Sequence, residues 1–393
     1  MMRTVDLFAG SGGLSLGFMN AGFDVVAAFE KWDKAIEIYR ENITDHPVVE
    51  ADLSDVEKSI EQIRLFNPEM IIGGPPCQDY SSAGKRIETT RADLTRSFAL
   101  IISSIKPKIF VMENVARARL SKAYADARAI LTSAGYGITE TVLNADLCGV
   151  PQNRGRFFAI GILGADSEIL LPYLTENLSD KPMTVRDYFG DSLGIDFYYR
   201  HPRSYARRGI YSIDEPSATI RGVNRPVPPG YKKHPLDAID VTPNLRPLTT
   251  LERSLIQTFP PQFKWTGSKT NAEQMIGNAV PVKLAEYVAL AIKKFIDSGR
   301  IKPIVDEPNF KKWLIEEKGY SDRSSNDIVS RVKRANGIVS VLNNPGDYSN
   351  LLEQSDVFAA LKPSIKSQLK KAICLYYEYG SIDGEMMIDN IDA

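Results

Sequence analysis

Cys77 is the residue best suited to covalent chemistry, and its surroundings indicate how it is held. It follows Gly73-Gly74-Pro75-Pro76, and the run before those glycines, Glu69-Met70-Ile71-Ile72, reads as a short buried strand. Proline fixes its own φ and biases the preceding residue towards extended backbone, so this loop loses little freedom on ordering. A thiol at the end of such a strand, once ionised, is a nucleophile within reach of a substrate. Two carboxylates end other apolar runs. Asp52 comes after Val48-Val49, and Glu113 directly follows Ile109-Phe110-Val111-Met112. Ligands of open α/β sheets gather at the carboxyl ends of the strands, so Asp52, Cys77 and Glu113 are expected to meet at one site. Arg154 and Arg156 alternate in Gly149-Val150-Pro151-Gln152-Asn153-Arg154-Gly155-Arg156, and point the same way if that stretch is extended. Taken alone they read equally well as two surface arginines.

A second constellation opens the chain. Thr4 to Phe8 reads as a strand, Ala9-Gly10-Ser11-Gly12-Gly13 as a glycine turn and Leu14 to Ala21 as a helix. Strand, glycine turn and helix begin a Rossmann-like nucleotide site, where the glycines let backbone approach a ligand. Ser15 stands where a dinucleotide fingerprint would have its third glycine. Glu30 ends the next apolar run, Val25 to Phe29, 20 residues after Gly10, the spacing at which a carboxylate meets ribose hydroxyls. The pair of signals favours a cofactor site over a solvated Glu. Asp52 suits an adenine amino group, although alone it reads as a loop or helix-cap Asp.

The elements that must position these groups alternate between strand and helix. Arg91 to Ile105 and Ala123 to Ala134 have helical spacing, and Thr139 to Leu143 and Phe157 to Ile162 read as paired strands. After Gly164 the periodicity weakens. It returns in helices from Thr250 to Phe259 and Val282 to Ile296, and Gly299 and Pro303 mark a boundary. The last ninety residues carry amphipathic helices at Phe310 to Lys318, Ser325 to Ala335 and Ser364 to Tyr379, whose charged faces read first as solvated surface.

Composition bounds the rest. With 393 residues, 43% hydrophobic and 25% charged, the chain can bury the cores of two or three domains. Its three scattered cysteines form neither a disulfide framework nor a metal site, which points to a reducing compartment. No membrane span and no signal peptide are expected. A net charge of −1 gives no global nucleic-acid signal. Between Asp196 and Pro235, however, eight Lys and Arg face three acids, with Tyr198, Tyr199, Tyr205, Tyr211 and Tyr231 interleaved. That mixture suits phosphate contacts and base readout, and equally a solvated basic loop.

Taken in order, DLFAGSGG, the Glu30 segment, Asp52, GGPPCQ, MENV, GVPQNRGR, RPLT…E…IQTFP and IGNAVPV resemble the motif series of bacterial cytosine-5 DNA methyltransferases of restriction-modification systems. Any one of the eight is weak, whereas all eight in order are highly specific. The resemblance covers about Arg3 to Ile296, with a variable gap near residues 165–245. It implies an α/β fold, the Rossmann-like doubly wound mixed sheet of S-adenosylmethionine-dependent methyltransferases. It also implies a smaller target-recognition domain and leaves a C-terminal helical extension outside. The expected divisions are 1–164 for the catalytic and cofactor-binding domain, 165–245 for target recognition, 246–300 returning to the catalytic domain and 301–393 for the extension.

By the same resemblance Cys77 is the nucleophile and Glu113 bonds the pyrimidine edge. Arg154 and Arg156 support the loop and the base, with Arg156 at the cytosine carbonyl. Phe8, Gly10, Gly12, Glu30, Asp52, Leu53, Pro76, Leu94 and Asn278 bind S-adenosyl-L-methionine, released as S-adenosyl-L-homocysteine, with no metal. Ser81, Arg203, Arg207, Arg208, Thr219, Arg221 and Arg225 contact DNA, Thr219-Ile220 resembling the recurrent Thr dipeptide of recognition domains. Lys31 stands where many members have an apolar residue against adenine, and either it or the adjacent Trp32 takes that place. Double-stranded DNA is the implied partner of a cytoplasmic, nucleoid-associated monomer, beside a cognate restriction endonuclease. The alternatives are a tRNA cytosine-5 methyltransferase, or a partner-dependent or non-catalytic DNA-binding subunit. A nicotinamide oxidoreductase accounts for the glycine turn alone.

Overall fold

The computed structural model of the chain describes residues 2–76, 93–202, 204, 207–298, 307–338, 352–353 and 355–388. Its strands are β1 (Arg3–Leu7), β2 (Asp24–Glu30), β3 (Val48–Glu50), β4 (Met70–Gly73), β5 (Ile109–Val115), β6 (Tyr136–Asn144), β7 (Gln152–Asn153), β8 (Gly155–Leu163), β9 (Phe197–Tyr199), β10 (Ile210–Ser212) and β11 (Ser217–Ala218). Seven of them form one sheet in the order β3-β2-β1-β4-β5-β8-β6. The first five are parallel, and β8 runs antiparallel to both of its neighbours. The order turns back between β1 and β4, so the carboxyl ends of these two strands border the crevice where such sheets take ligands.

The central strands are apolar on both faces, as a sheet covered on both sides requires. Helix α4 (Asp93–Ile105) and helix α5 (Lys122–Ser133) lie on one face. Phe98, Ile101 and Ile102 of α4 and Leu131 of α5 pack there with Val5, Ile71 and Phe110, all fully buried. On the other side, α1 (Gly13–Asn20) and α2 (Asp33–Asn42) meet the returning part of the chain, α8 (Thr250–Ile256), α9 (Lys269–Asn278) and α10 (Val282–Asp297). Ala35 and Ile38 of α2 share a buried cluster with Phe259, Phe263, Met275 and Val282. A Cβ on Gly13 would lie 2.4 Å from the carbonyl oxygen of Val280, so only glycine lets the two backbones touch.

The chain divides into compact units at Met1–Lys293 and Lys294–Ala393. Taken by itself, the second unit is helical: α11 (Glu307–Glu316), α12 (Asp322–Ile338), α13 (Asp356–Ala359) and α14 (Pro363–Ile388). Phe310, Leu314, Val332 and Leu369 form its core. The elements α13, α6 (Leu171–Thr175) and α7 (Val185–Phe189) are too short to show a period, and the spacing argument did not find them. Helix α8 stops earlier than its spacing predicts, because Thr258 turns left-handed at φ 61°. The stretch Lys269–Asp297 is long and apolar enough to cross a membrane, contrary to expectation. It is broken into α9 and α10 around Pro281, and 67% of its apolar window is buried inside the protein.

Candidate active site

A cavity of about 410 Å³ opens at the carboxyl ends of β1, β4 and β5. The turn after β1 forms its first wall. Phe8 is left-handed at φ 58°, followed by Gly10 at 56° and Gly12 at 91°. A bulky residue held there is strained, and such positions persist where the surrounding structure over-determines them. Part of that determination comes from Glu30. Its carboxylate accepts the backbone N–H of Gly10 at 2.8 Å, of Lys31 at 2.8 Å and of Trp32 at 2.9 Å, which ties the end of β2 to the glycine turn. Trp32, Ala35, Leu14 and Met275 complete the apolar part of this wall, beside the polar Asn278.

Asp6 lies beneath the turn, fully buried on β1 and facing the cavity. Its Oδ2 accepts the Ser15 hydroxyl at 2.6 Å, Ser15 in turn accepts the Tyr39 hydroxyl at 2.8 Å, and Tyr39 reaches His46 Nε2 at 2.7 Å. Asp6 Oδ1 has no partner among the described residues, and neither does the buried Ser11 hydroxyl, which also lines the cavity. Burial pushes the Asp6 carboxyl up to about 7, and the nearby Glu30 charge adds to that rise against the Ser15 hydrogen bond.

The opposite wall carries charge. Glu113 is held in the ladder of β5 between β4 and β8, and its carboxylate meets Arg156 Nε at 2.9 Å. Both side chains are almost wholly buried, and both line the cavity. Burial holds the Glu113 carboxyl above the ordinary range, and the charges of Arg156 and Arg154 counter this only in part. Asn114 donates from its side-chain amide to the Pro75 carbonyl at 3.0 Å, which pins the proline loop beside Glu113. Pro76, the last described residue before Cys77, lines the same cavity. Cys77 itself lies outside the described residues, as does Ser81.

Of the cofactor residues expected from sequence, Phe8, Gly10, Glu30, Pro76 and Asn278 line the cavity together. Gly12, Asp52, Leu53 and Leu94 are not among the lining residues. Asp52 forms an exposed ion pair with Lys31 and accepts the Ser54 hydroxyl at 2.7 Å, and these bonds hold its carboxyl down at about 2. Trp32 faces the cavity and Lys31 does not.

Arg154 and Arg156 take different partners and do not point the same way, contrary to the expectation from their alternation. Arg156 sits in β8 and reaches the cavity. Arg154 precedes that strand, is 2% exposed and donates to the carbonyls of Ile220 at 2.9 Å and of Gly277 and Ala279 at 3.0 Å each. It braces backbone and does not line the cavity.

The basic segment is also less free than its composition implies. Arg208 forms a bidentate pair with Glu215 and lies 4.2 Å over the Tyr211 ring. Arg221 donates to the His201 carbonyl, and Thr219 donates to the Asn153 carbonyl at 2.7 Å. Arg207 and Arg225 are exposed, and Arg203 lies outside the described residues. Sequence reasoning missed Asp6 and the buried pair Gln152 and Gln257, and it left Trp32 and Lys31 as alternatives, of which Trp32 lines the cavity. An acid inside the apolar run Thr4 to Phe8 is the one signal that marks Asp6.

Comparison with known proteins follows from this geometry. Residues 2–294 match the family model described as C-5 cytosine-specific DNA methylase. The Type II methyltransferase M.HindV of Haemophilus influenzae is 57% identical over 296 residues, which is 75% of this chain and 97% of that protein. The Type II methyltransferase M.HgiDI of Herpetosiphon aurantiacus is 53% identical over 310 residues, 79% of this chain and 100% of its own length. The S. pombe Dnmt2 methyltransferase structure shares the fold, with a TM-score of 0.55 at 19% identity, over 75% of this chain and 99% of that one.

Proposed function

The chain belongs to the C-5 cytosine-specific DNA methylase family, and we propose that it methylates carbon 5 of a cytosine flipped out of duplex DNA, through a covalent bond to Cys77. The observation that carries this reading is the shared cavity, where the Glu113–Arg156 pair and the β1 turn face each other beside Pro76. In the same proposal the protein is the monomeric, cytoplasmic methyltransferase of a restriction-modification system, beside a cognate endonuclease.

The residues fit S-adenosylmethionine. Its amino-acid end carries an ammonium and a carboxylate, and the cavity floor offers an unpartnered Asp6 oxygen and an unpartnered Ser11 hydroxyl. Glu30 retains acceptor capacity for ribose hydroxyls, and Trp32 supplies a flat apolar face for adenine. Asp52, expected at the adenine amino group, is paired with Lys31 and lies outside the cavity lining. When bound, the cofactor supplies an electrophilic methyl group.

Carbon 5 of cytosine is a poor nucleophile while the ring stays aromatic. Attack of the Cys77 thiolate on carbon 6 forms a carbon–sulfur bond and shifts the electron pair towards ring nitrogen 3. Glu113, whose burial favours the protonated carboxyl, hydrogen-bonds that nitrogen and offsets the charge. Arg156 holds the Glu113 carboxyl in place and turns a donor towards the pyrimidine carbonyl. Carbon 5 then takes the methyl group, its proton passes to a solvent base, and the electron pair left behind expels the Cys77 thiolate while the nitrogen 3 proton returns to Glu113, which restores the ring. Flipping costs a few kcal/mol of stacking, which contacts from the basic segment are expected to offset.

Purified protein with methyl-labelled S-adenosylmethionine and unmethylated duplex DNA of mixed sequence is expected to label the DNA, and Cys77→Ser is expected to label none. Equal label from both proteins would remove Cys77 from the mechanism. Label on tRNA and none on DNA would overturn the substrate.

A further inference from the structure

We infer that Arg154 couples recognition of the duplex to binding of the cofactor, by holding the recognition segment and the turn around Asn278 in one shared arrangement. The inference rests on the methyltransferase reading of the cavity and adds a role for residues that touch neither ligand.

The α9 helix ends at Asn278, whose side of the cavity is the cofactor's in the proposed reading. The last carbonyls of a helix have no partners within it. Here side chains from elsewhere supply them. Gln257 donates to the carbonyls of Ile276 and Ala279, and Arg154 donates to those of Gly277 and Ala279. A guanidinium also carries the charge that the C-terminal end of a helix dipole favours.

The other arm of Arg154 donates to the Ile220 carbonyl, within the segment that follows β11. That segment has a second tie. Gln152 accepts the Ile220 N–H at 2.8 Å and donates to Gln257 at 2.7 Å, and both glutamines are fully buried. A third tie is steric. A Cβ on Gly277 would fall 2.2 Å from the Gly222 nitrogen and 2.3 Å from the Arg221 carbonyl carbon, so the two backbones are in direct contact. Residues 220 to 222 and 276 to 279 cannot move independently without breaking buried hydrogen bonds, each costing the desolvation of the group left behind.

Arg154 is thus a positioning residue. A duplex that orders the recognition segment also orders the Asn278 turn, and the second ligand then meets a turn already fixed. Coupling of this kind is reciprocal and typically at least fivefold in affinity.

The test uses the full chain, S-adenosylhomocysteine as the unreactive probe and a duplex that the wild-type protein methylates. Titration calorimetry is expected to show the wild type binding the probe about tenfold tighter with the duplex than without it. In Arg154→Lys, whose single ammonium cannot serve carbonyls on both sides, the ratio is expected to fall to about twofold or less. Independent binding in the wild type, or a ratio kept by a folded Arg154→Lys, overturns the coupling and leaves the methyltransferase reading intact. Failure to find any methylated duplex overturns that reading first. Amide exchange on the wild type is the check that needs no variant. The duplex alone is expected to slow exchange at residues 277–279, and unchanged exchange there overturns the proposal.

Discussion

The sheet and the segment from Ser217 to Asn224 are held in place by different means. Glu113 and Arg156 sit on neighbouring strands, Glu113 paired with Phe158 of β8, and Arg156 paired with Val115 of β5 and Leu143 of β6. The segment from Ser217 to Asn224 has a two-residue pairing with β7 and depends further on the buried side chains of Gln152, Arg154 and Arg253 and on the half-buried Asn224. A ladder survives the change of one side chain, because its bonds are backbone. A segment tied by a few buried polar groups does not, because each lost partner leaves a charge or dipole unsolvated. Substitutions on the sheet are therefore expected to change chemistry and spare stability, and those under the segment to do the reverse.

The largest effect expected is on rate. Glu113→Gln keeps the shape and removes the exchangeable proton, so methyl transfer is expected to fall about 100-fold or more, while the melting temperature stays within a few degrees. A large loss of stability with little loss of rate would break the contrast. Next comes Arg253→Met. Arg253 pairs with Glu273, and both side chains are 4% exposed. Removing one leaves the other charged and buried, so unfolding in urea is expected to show a loss of about 3–5 kcal/mol.

Asp6→Asn separates the two kinds of effect by pH. Well below pH 3.8 the Asp6 carboxyl is protonated in the folded and unfolded chain alike, and its ionisation costs no stability. As pH rises from 3.8 towards 7, the unfolded chain ionises it and the folded chain keeps the proton, so stability is lost, and the loss is complete above 7. The variant is therefore expected to be more stable than the wild type at pH 8, by up to about 4 kcal/mol, with that advantage gone by about pH 3. It is also expected to bind S-adenosylhomocysteine more weakly, which calorimetry would read. The smallest effect belongs to the exposed pair. Lys31→Ala is expected to change stability by less than about 1 kcal/mol, since the side chains are 70% and 44% exposed.

Much of the sheet half was legible in the sequence. Apolar runs before Asp52 and the Cys77 loop mark the ends of β3 and β4, whereas β5 runs on through Glu113 and Asn114 to Val115, because pairing with β8 satisfies its backbone there. The cavity does bring Glu113, Pro76, Glu30 and Gly10 together. The two arginines show where that reasoning stops. Alternation places Arg154 and Arg156 on one side of an extended strand, but Arg154 comes before the strand starts, and its partners lie 66 to 125 residues away. Arg208 and Arg221 counted towards a basic surface, although one is bound by Glu215 and the other by a backbone carbonyl.

The sequence by itself determined the motif order, the alternation of strand and helix and the identity of the groups able to react. These depend on near neighbours and on residue chemistry. Only the tertiary structure decided which charges face the cavity, which are spent inside the protein, and that the end of α9 and the carbonyl of Ile220 share one guanidinium. Those outcomes depend on burial and on partners distant in the chain, and local pattern carries no record of either.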